Sequence, residues 1–237
     1  VNSLDARRLR NWIVVGGLIS AIAIVVICYP YLLQRATEHF GARVVAFGLL
    51  GLVATTALVR GRAMRAALRY GAAPTLLVPL LLLATAISGE SAYLRAVPAV
   101  VYASLADACR ISLRDGVSLI ERAVQFMVPE APQFIRGYCR NLTWFWCGFF
   151  TGCALGTALL AFSGDVDRWS AFTGTGIYLT MGVVTAIEFF VRKTWFRYYF
   201  HEGPFDRFWS TLFPAEATAR GRQSIAYIER FRDRAER

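Results

Sequence analysis

Charge is scarce in this chain. Asp, Glu, Lys and Arg make up 18% of its residues, against about 25% in an ordinary soluble domain. There are only two histidines. The five cysteines (Cys28, Cys109, Cys139, Cys147, Cys153) form no CxxC pair and no metal-like cluster with them. That spacing points away from a zinc site and from a disulfide framework, and neither a metal nor any other cofactor is expected. A glycine-rich phosphate loop, a Ser-centred nucleophile elbow and an HExxH pair are also missing, so no common catalytic signature directs the reading. The shortage of acid is the most informative lack. Asp and Glu number 16 against 26 Lys and Arg, a formal charge of +10.

What is plentiful is apolar length. Hydrophobic residues are 56% of the chain and the mean hydropathy is +0.44. The stretch 132–163 organises the rest: Arg136 and Arg140, then Trp144, Phe145 and Trp146, then an uncharged, proline-free run from Cys147 to Phe162. A helix of about 20 residues crosses the roughly 30 Å hydrocarbon layer. Trp favours the headgroup level, with Arg just beyond it. Gly148, Gly152 and Gly156 recur every four residues and share one face, the kind of groove that lets membrane helices approach closely.

The same criteria predict an all-α, polytopic membrane domain over residues 1–191, with six spans at about 12–33, 42–59, 70–87, 92–109, 143–163 and 171–191. A basic interfacial tail follows over 192–237. Trp12 and Trp169 read as interfacial belt residues. Pro74 and Pro79 kink the third span, which a membrane tolerates where neighbours cover the freed carbonyls. The fourth run is the weakest, because Arg95, Pro98 and Asp107 interrupt it. It either crosses with Arg95 snorkelling outward or forms a re-entrant hairpin with the third; both return the chain to the side it left. In the loop 110–131, Ser118 precedes Glu121 by three residues, a capping-box pattern. Ile120, Ala123, Val124 and Met127 then share one helical face, with Glu121, Arg122 and Gln125 on the other. That is an amphipathic helix, lying on the membrane surface or packed on the other loops. The numbering starts at Val1, so a short leader is expected to precede it. The first apolar run is too long for a signal peptide and lacks its cleavage site.

Charge orients the molecule. Threaded through six spans, the Arg clusters at 7–10, 60–69, 110–140 and from 192 onward fall on one side, while the turns near 35–43, 88–91 and 164–168 fall on the other. The latter are short and nearly neutral. The positive-inside rule then places both termini in the cytoplasm of a bacterial inner membrane. A five-span threading would strand an Arg-rich region outside and is rejected. Arg60, Arg62, Arg65, Arg69, Arg110, Arg136 and Arg140 form a candidate docking face for anionic lipid or an acidic protein. Nucleic acid is not indicated, because the aromatics that accompany the arginines sit at belt positions.

The ionisable groups in or at the spans are Arg95, Asp107 and Glu188, with Arg192 four residues after the last. Glu188 and Arg192 are spaced i, i+4 and read as an interfacial ion pair; Asp107 and Arg110 read the same way. No chain of acids runs through the bilayer, so a proton path is not indicated. His201 and Asp206 have the H-x4-D spacing of glycerolipid acyltransferases, in which the His is the general base on an acceptor hydroxyl and the Asp orients it. Pro204 inside the motif and the lack of companion motifs favour a plain Gly203-Pro204 turn.

The run 117–122 (VSLIER), the Pro-containing linker after it, Arg140, Trp144, Phe149, Phe150, the Trp169 turn and a last span ending Glu188-x-x-x-Arg192 together resemble a known family. It comprises uncharacterised bacterial inner-membrane proteins encoded beside fatty-acid-synthase-like genes, including aryl polyene pigment clusters. More distantly, the region 140–169 is similar to the intracellular septation protein A family. The resemblance covers about residues 92–213, and the Arg-rich tail beyond Phe213 is longer than the family pattern. It implies six spans in the inner membrane and a role in handling acyl or polyene chains built on acyl carrier protein. Three functions follow in order of preference: a non-catalytic accessory or scaffold subunit of a membrane complex, an acyltransferase-like enzyme using His201 and Asp206, and a small lipid transporter.

Overall fold

The computed structural model describes residues 28–59, 72–127, 133–196, 208 and 210–235, and among them every regular element is helical. In chain order these are α1 over residues 28–40, α2 (Ala42–Val59), α3 (Ala72–Ser88), α4 (Ser91–Arg95), α5 (Val97–Arg114), α6 (Leu119–Met127), α7 (Arg136–Phe162), α8 (Val166–Ser170), a π-helical turn (Ala171–Gly176), α9 (Ile177–Phe196) and α10 (Ala219–Ala235).

Three stretches are long and apolar enough to cross a membrane: Ser91–Arg114, Arg136–Phe162 and Val166–Trp195. At 1.5 Å of rise per residue they measure roughly 36, 40 and 45 Å. The weak fourth run gains its length by continuing past Asp107 to Arg114, with a bend at Ala96. The apolar parts of α2 and α3 are shorter, Ala42–Leu58 and Leu76–Ser88. Large side chains face outward along the long helices. Leu155, Leu159 and Leu179 are 62%, 74% and 66% exposed, which water would penalise and hydrocarbon would not. The protein is therefore a membrane-associated helical one.

By contact density the chain divides into two compact units, residues 1–178 and 179–237; the boundary at residue 191 follows hydropathy instead. In the first unit glycines make the corners. Gly41, Gly89 and Gly164 have φ of 81°, 81° and 82°, a left-handed conformation that costs glycine nothing and ends helices. The connection expected over 35–43 is much tighter than its sequence suggests. Helix α1 runs on to residue 40, and Gly41 alone makes the corner, its N–H donating to the Thr37 carbonyl at 3.0 Å.

Helices α5 and α7 pack antiparallel along a seam of mostly small residues. Ala99, Tyr102, Ala106, Cys109 and Leu113 are buried on α5 at alternating spacings of three and four, the pattern of a helix–helix seam. Opposite them Cys139, Thr143, Cys153, Thr157 and Ala161 are buried on α7. The Cys147 thiol donates to the Ala106 carbonyl at 3.5 Å. All five cysteines are free.

Helix α6 forms where the capping box placed it, and the Glu121 N–H donates to Ser118 Oγ at 3.3 Å. Its faces are not as the sequence pattern assigned them. Glu121 is only 7% exposed and Ala123 is exposed. The carboxylate turns inward because Arg136, at the start of α7, meets it at 3.0 Å, and Ile120 donates its N–H to Thr143 Oγ1 of α7. Helix α6 thus packs on its neighbour α7, a helix of span length and not one of the other loops.

In the second unit, Glu188 and Arg192 pair at 3.4 Å. Thr218 caps α10, its Oγ1 accepting from the Gly221 N–H at 3.0 Å. The Arg220 guanidinium lies 4.3 Å from the Trp195 ring centroid, a cation–π contact.

Candidate functional site

A cavity of about 320 Å³ with mixed polar and apolar lining lies within the first unit, at the end where Gly41, Gly89 and Gly164 turn the chain. Helix α1 contributes Gln34 and Glu38, one turn apart, with Gln34 Nε2 donating to Glu38 Oε1 at 3.3 Å. Arg35 stands 3.8 Å from the other carboxylate oxygen and is largely exposed. Helix α4 contributes Ser91, Leu94 and Arg95, and α8 contributes Trp169.

The bend at Ala96 creates this site. Pro98 has no N–H to donate, and the Ala99 N–H turns to the Ala96 carbonyl at 3.1 Å instead of reaching Arg95. The Arg95 carbonyl is thereby released, and Trp169 Nε1–H donates to it at 3.1 Å. The Arg95 side chain answers a second orphan. Its Nε and Nη2 donate to the Ala161 carbonyl at 3.3 and 3.2 Å. That carbonyl lies in the last turn of α7, where no intrahelical donor is available and the negative end of the helix dipole favours a cation. Leu94, Ala96, Ala161 and Trp169 close a core with Leu33 and Leu82. Asp165 fixes α8 by accepting the Arg168 N–H at 3.0 Å.

Two expectations change here. Trp169 is not a belt residue: it is 1% exposed, because its indole N–H is needed at the bend. Arg95 does not simply snorkel away; it fastens α4 to α7 and lines the cavity. Two of its five N–H donors are thus engaged. Among the described residues no ion pair joins Arg95 to Glu38, although both line the cavity.

The other candidate residues are dispersed. Arg110 is held by Asp107, Nε to Oδ1 at 2.9 Å, and Arg136 by Glu121, while Arg140 is exposed. Gly148 and Gly152 are exposed, and a Cβ on either would meet nothing within 4 Å; at Gly156 it would meet Phe172 Cζ at 2.9 Å. At about 100° per residue, Gly148 lies half a turn round α7 from buried Cys139. The α5–α7 seam therefore uses another face. Arg60, Arg62, Arg65, Arg69, His201 and Asp206 lie outside the described residues. Among the described residues no group of three His, Cys, Asp or Glu gathers to hold a metal.

No sequence motif marks Gln34, Glu38 and Ser91 as a site. The available signal was Arg95 followed three residues later by Pro98 in an apolar run: a bend beside a cation that needs an acceptor. No protein family matches the chain, and no curated protein or solved structure matches it either.

Proposed function

We propose that this chain is a six-span protein of the bacterial cytoplasmic membrane, with both termini inside, serving as a non-catalytic scaffold or accessory subunit of a membrane complex. The observation that supports this reading is the exposed leucine on each of α7 and α9, an apolar surface suited to lipid or to partner helices. The apolar stretches in α2, α3 and residues 12–33 bring the crossings to six. Around the three short turns Arg35, Arg43, Arg95 and Arg168 are matched by Glu38, Glu90, Asp165 and Asp167, so the whole formal charge of +10 falls elsewhere. An excess of that size on the cytoplasmic face suits an acidic partner, and an acyl carrier protein bearing acyl or polyene chains is the first candidate.

Topology is the direct test. A reporter active only in the cytoplasm, fused after residue 237, should be active, and a reporter active only in the periplasm should be active in the 164–168 turn. The reverse pattern refutes the threading. For docking, binding of the carrier protein to the full chain in detergent should weaken steeply between 50 and 300 mM salt, because screening shortens to about 10 Å by 0.1 M. Salt-independent binding refutes the electrostatic role. Full function in a His201→Ala variant would remove the acyltransferase alternative.

A further inference from the structure

We infer that the cavity between α1, α4 and α8 binds a zwitterionic phosphoethanolamine headgroup, with its phosphate at Arg95 and its ammonium at Glu38. The inference rests on the membrane placement for the source of that headgroup, but not for the chemistry of the cavity. Arg95 and Glu38 line one space of about 320 Å³ without pairing to each other, a volume at the small end of ligand pockets. The cation beside Glu38 is Arg35, 3.8 Å away with its side chain 87% exposed, a loose surface pair that a ligand ammonium would join or displace. A ligand that carries both charges, separated by a short linker, satisfies both groups at once.

Each end has its partners. Arg95 keeps three N–H donors beyond those on the Ala161 carbonyl, and Ser91, one helical turn before it on α4, also lines the cavity. Arg recognises phosphate well because its planar fork presents parallel donors. At the other end Gln34 gives its amide N–H to Glu38, which leaves the amide oxygen and the carboxylate as acceptors. A primary ammonium brings N–H donors to both, whereas a trimethylammonium brings none. The neutral balance of the surrounding turns selects against a purely anionic ligand, which a basic rim would serve better. Ala42 and Val166, both partly exposed, supply apolar wall. Phe40, Ile87 and Phe162 are exposed beside the three turns, so acyl chains leaving the cavity meet apolar surface.

The test uses the full chain, purified in mild detergent and stripped of lipid. It is titrated with phosphatidylethanolamine, phosphatidylcholine, phosphatidylglycerol and free phosphoethanolamine. Retained lipid is read by native mass spectrometry and binding by Trp fluorescence. Phosphatidylethanolamine should bind about tenfold tighter than the other two lipids, the worth of one charge-assisted hydrogen bond. Glu38→Gln should abolish that preference with the melting temperature within about 2 °C, since the Glu38 side chain is just over half exposed and its ion pair with Arg35 is a surface one. Glu38→Lys should shift the preference to phosphatidylglycerol. Competition by free phosphoethanolamine at millimolar concentration supports the cavity with a soluble source; binding of the lipid alone supports a lipid source. Equal binding of the three lipids, or an undiminished preference in Glu38→Gln, overturns the inference. A chain that stays soluble without detergent sinks the membrane reading, while phosphoethanolamine competition still reports on the cavity alone.

Discussion

The Glu121–Arg136 pair makes an asymmetric prediction. The carboxylate is nearly buried, while the guanidinium that meets it at 3.0 Å is 61% exposed. Arg136→Ala strands the acid, leaving only the Gln125 amide at 3.4 Å and the first turn of α6 around it. Breaking a fully buried pair costs about 3–5 kcal/mol. Water reaches this site from the Arg136 side, so about 2 kcal/mol is expected here. Glu121→Gln keeps the shape, removes the charge and releases Arg136 to solvent, at about 0.5 kcal/mol. For a chain of this size each kcal/mol lowers the melting temperature by about 2–4 °C. Thermal unfolding in detergent, followed by circular dichroism, should therefore drop by about 6 °C for Arg136→Ala and about 1–2 °C for Glu121→Gln. The double variant should be more stable than Arg136→Ala alone, because the stranded charge is gone. Losses that simply add, or a Glu121→Gln loss equal to that of Arg136→Ala, would refute the buried-carboxylate argument.

Trp169→Phe keeps a ring in the core but leaves the Arg95 carbonyl without its donor, a loss of about 1–3 kcal/mol. A fall in melting temperature of several degrees is expected, and an unchanged value would show that the indole N–H does not hold the bend. Gly156→Leu drives a side chain into Phe172 and should destabilise the detergent-solubilised chain. Gly148→Leu and Gly152→Leu enter open space and should leave its melting temperature within about 2 °C, the usual range for surface changes. Loss of a co-purifying partner in those two variants alone would locate a partner helix on that face, whereas retention of every partner would remove it as a docking site.

Helix existence was legible because hydropathy and length are properties of composition along the chain. The predicted 42–59 and 70–87 spans fall on α2 and α3, and the apolar run after Trp146 falls inside α7. The i, i+4 pair Glu188–Arg192 and the neighbouring pair Asp107–Arg110 were also readable, since one helix fixes both partners. The Glu121 partner was not. Arg136 lies on another helix, beyond the reach of an i, i+4 pattern, so the local pattern put Glu121 on the wet face. The π-helical turn Ala171–Gly176 also left no period to detect. Its consequences are tertiary: Tyr31 OH lies 2.9 Å from Thr175 Oγ1, and a Cβ on Gly174 would meet the same ring at 2.6 Å.

The reason lies in the solvent. In water, a helix divides into an apolar face toward protein and a polar face toward bulk, so periodicity identifies the seam. In lipid both faces are apolar, and the distinction passes to side-chain size and to hydrogen bonds. On α7 the small residues occur twice, once as Gly148, Gly152 and Gly156 and once as Cys139, Thr143, Cys153, Thr157 and Ala161. Regular glycine spacing draws the eye to the first set, yet α5 takes the second, where Thr143 returns its hydroxyl to the Cys139 carbonyl at 2.8 Å and also accepts from Ile120. A hydroxyl that bonds its own helix, as at Thr143, lines a close contact without leaving a polar group stranded; Thr157, fully buried in the same seam, has no partner for its hydroxyl among the described residues. The residue that positions the cavity obeys the same logic: in an apolar surrounding the unpaired carbonyls at a helix end and at a proline bend are the strongest local demands, and Arg95 and Trp169 meet one each.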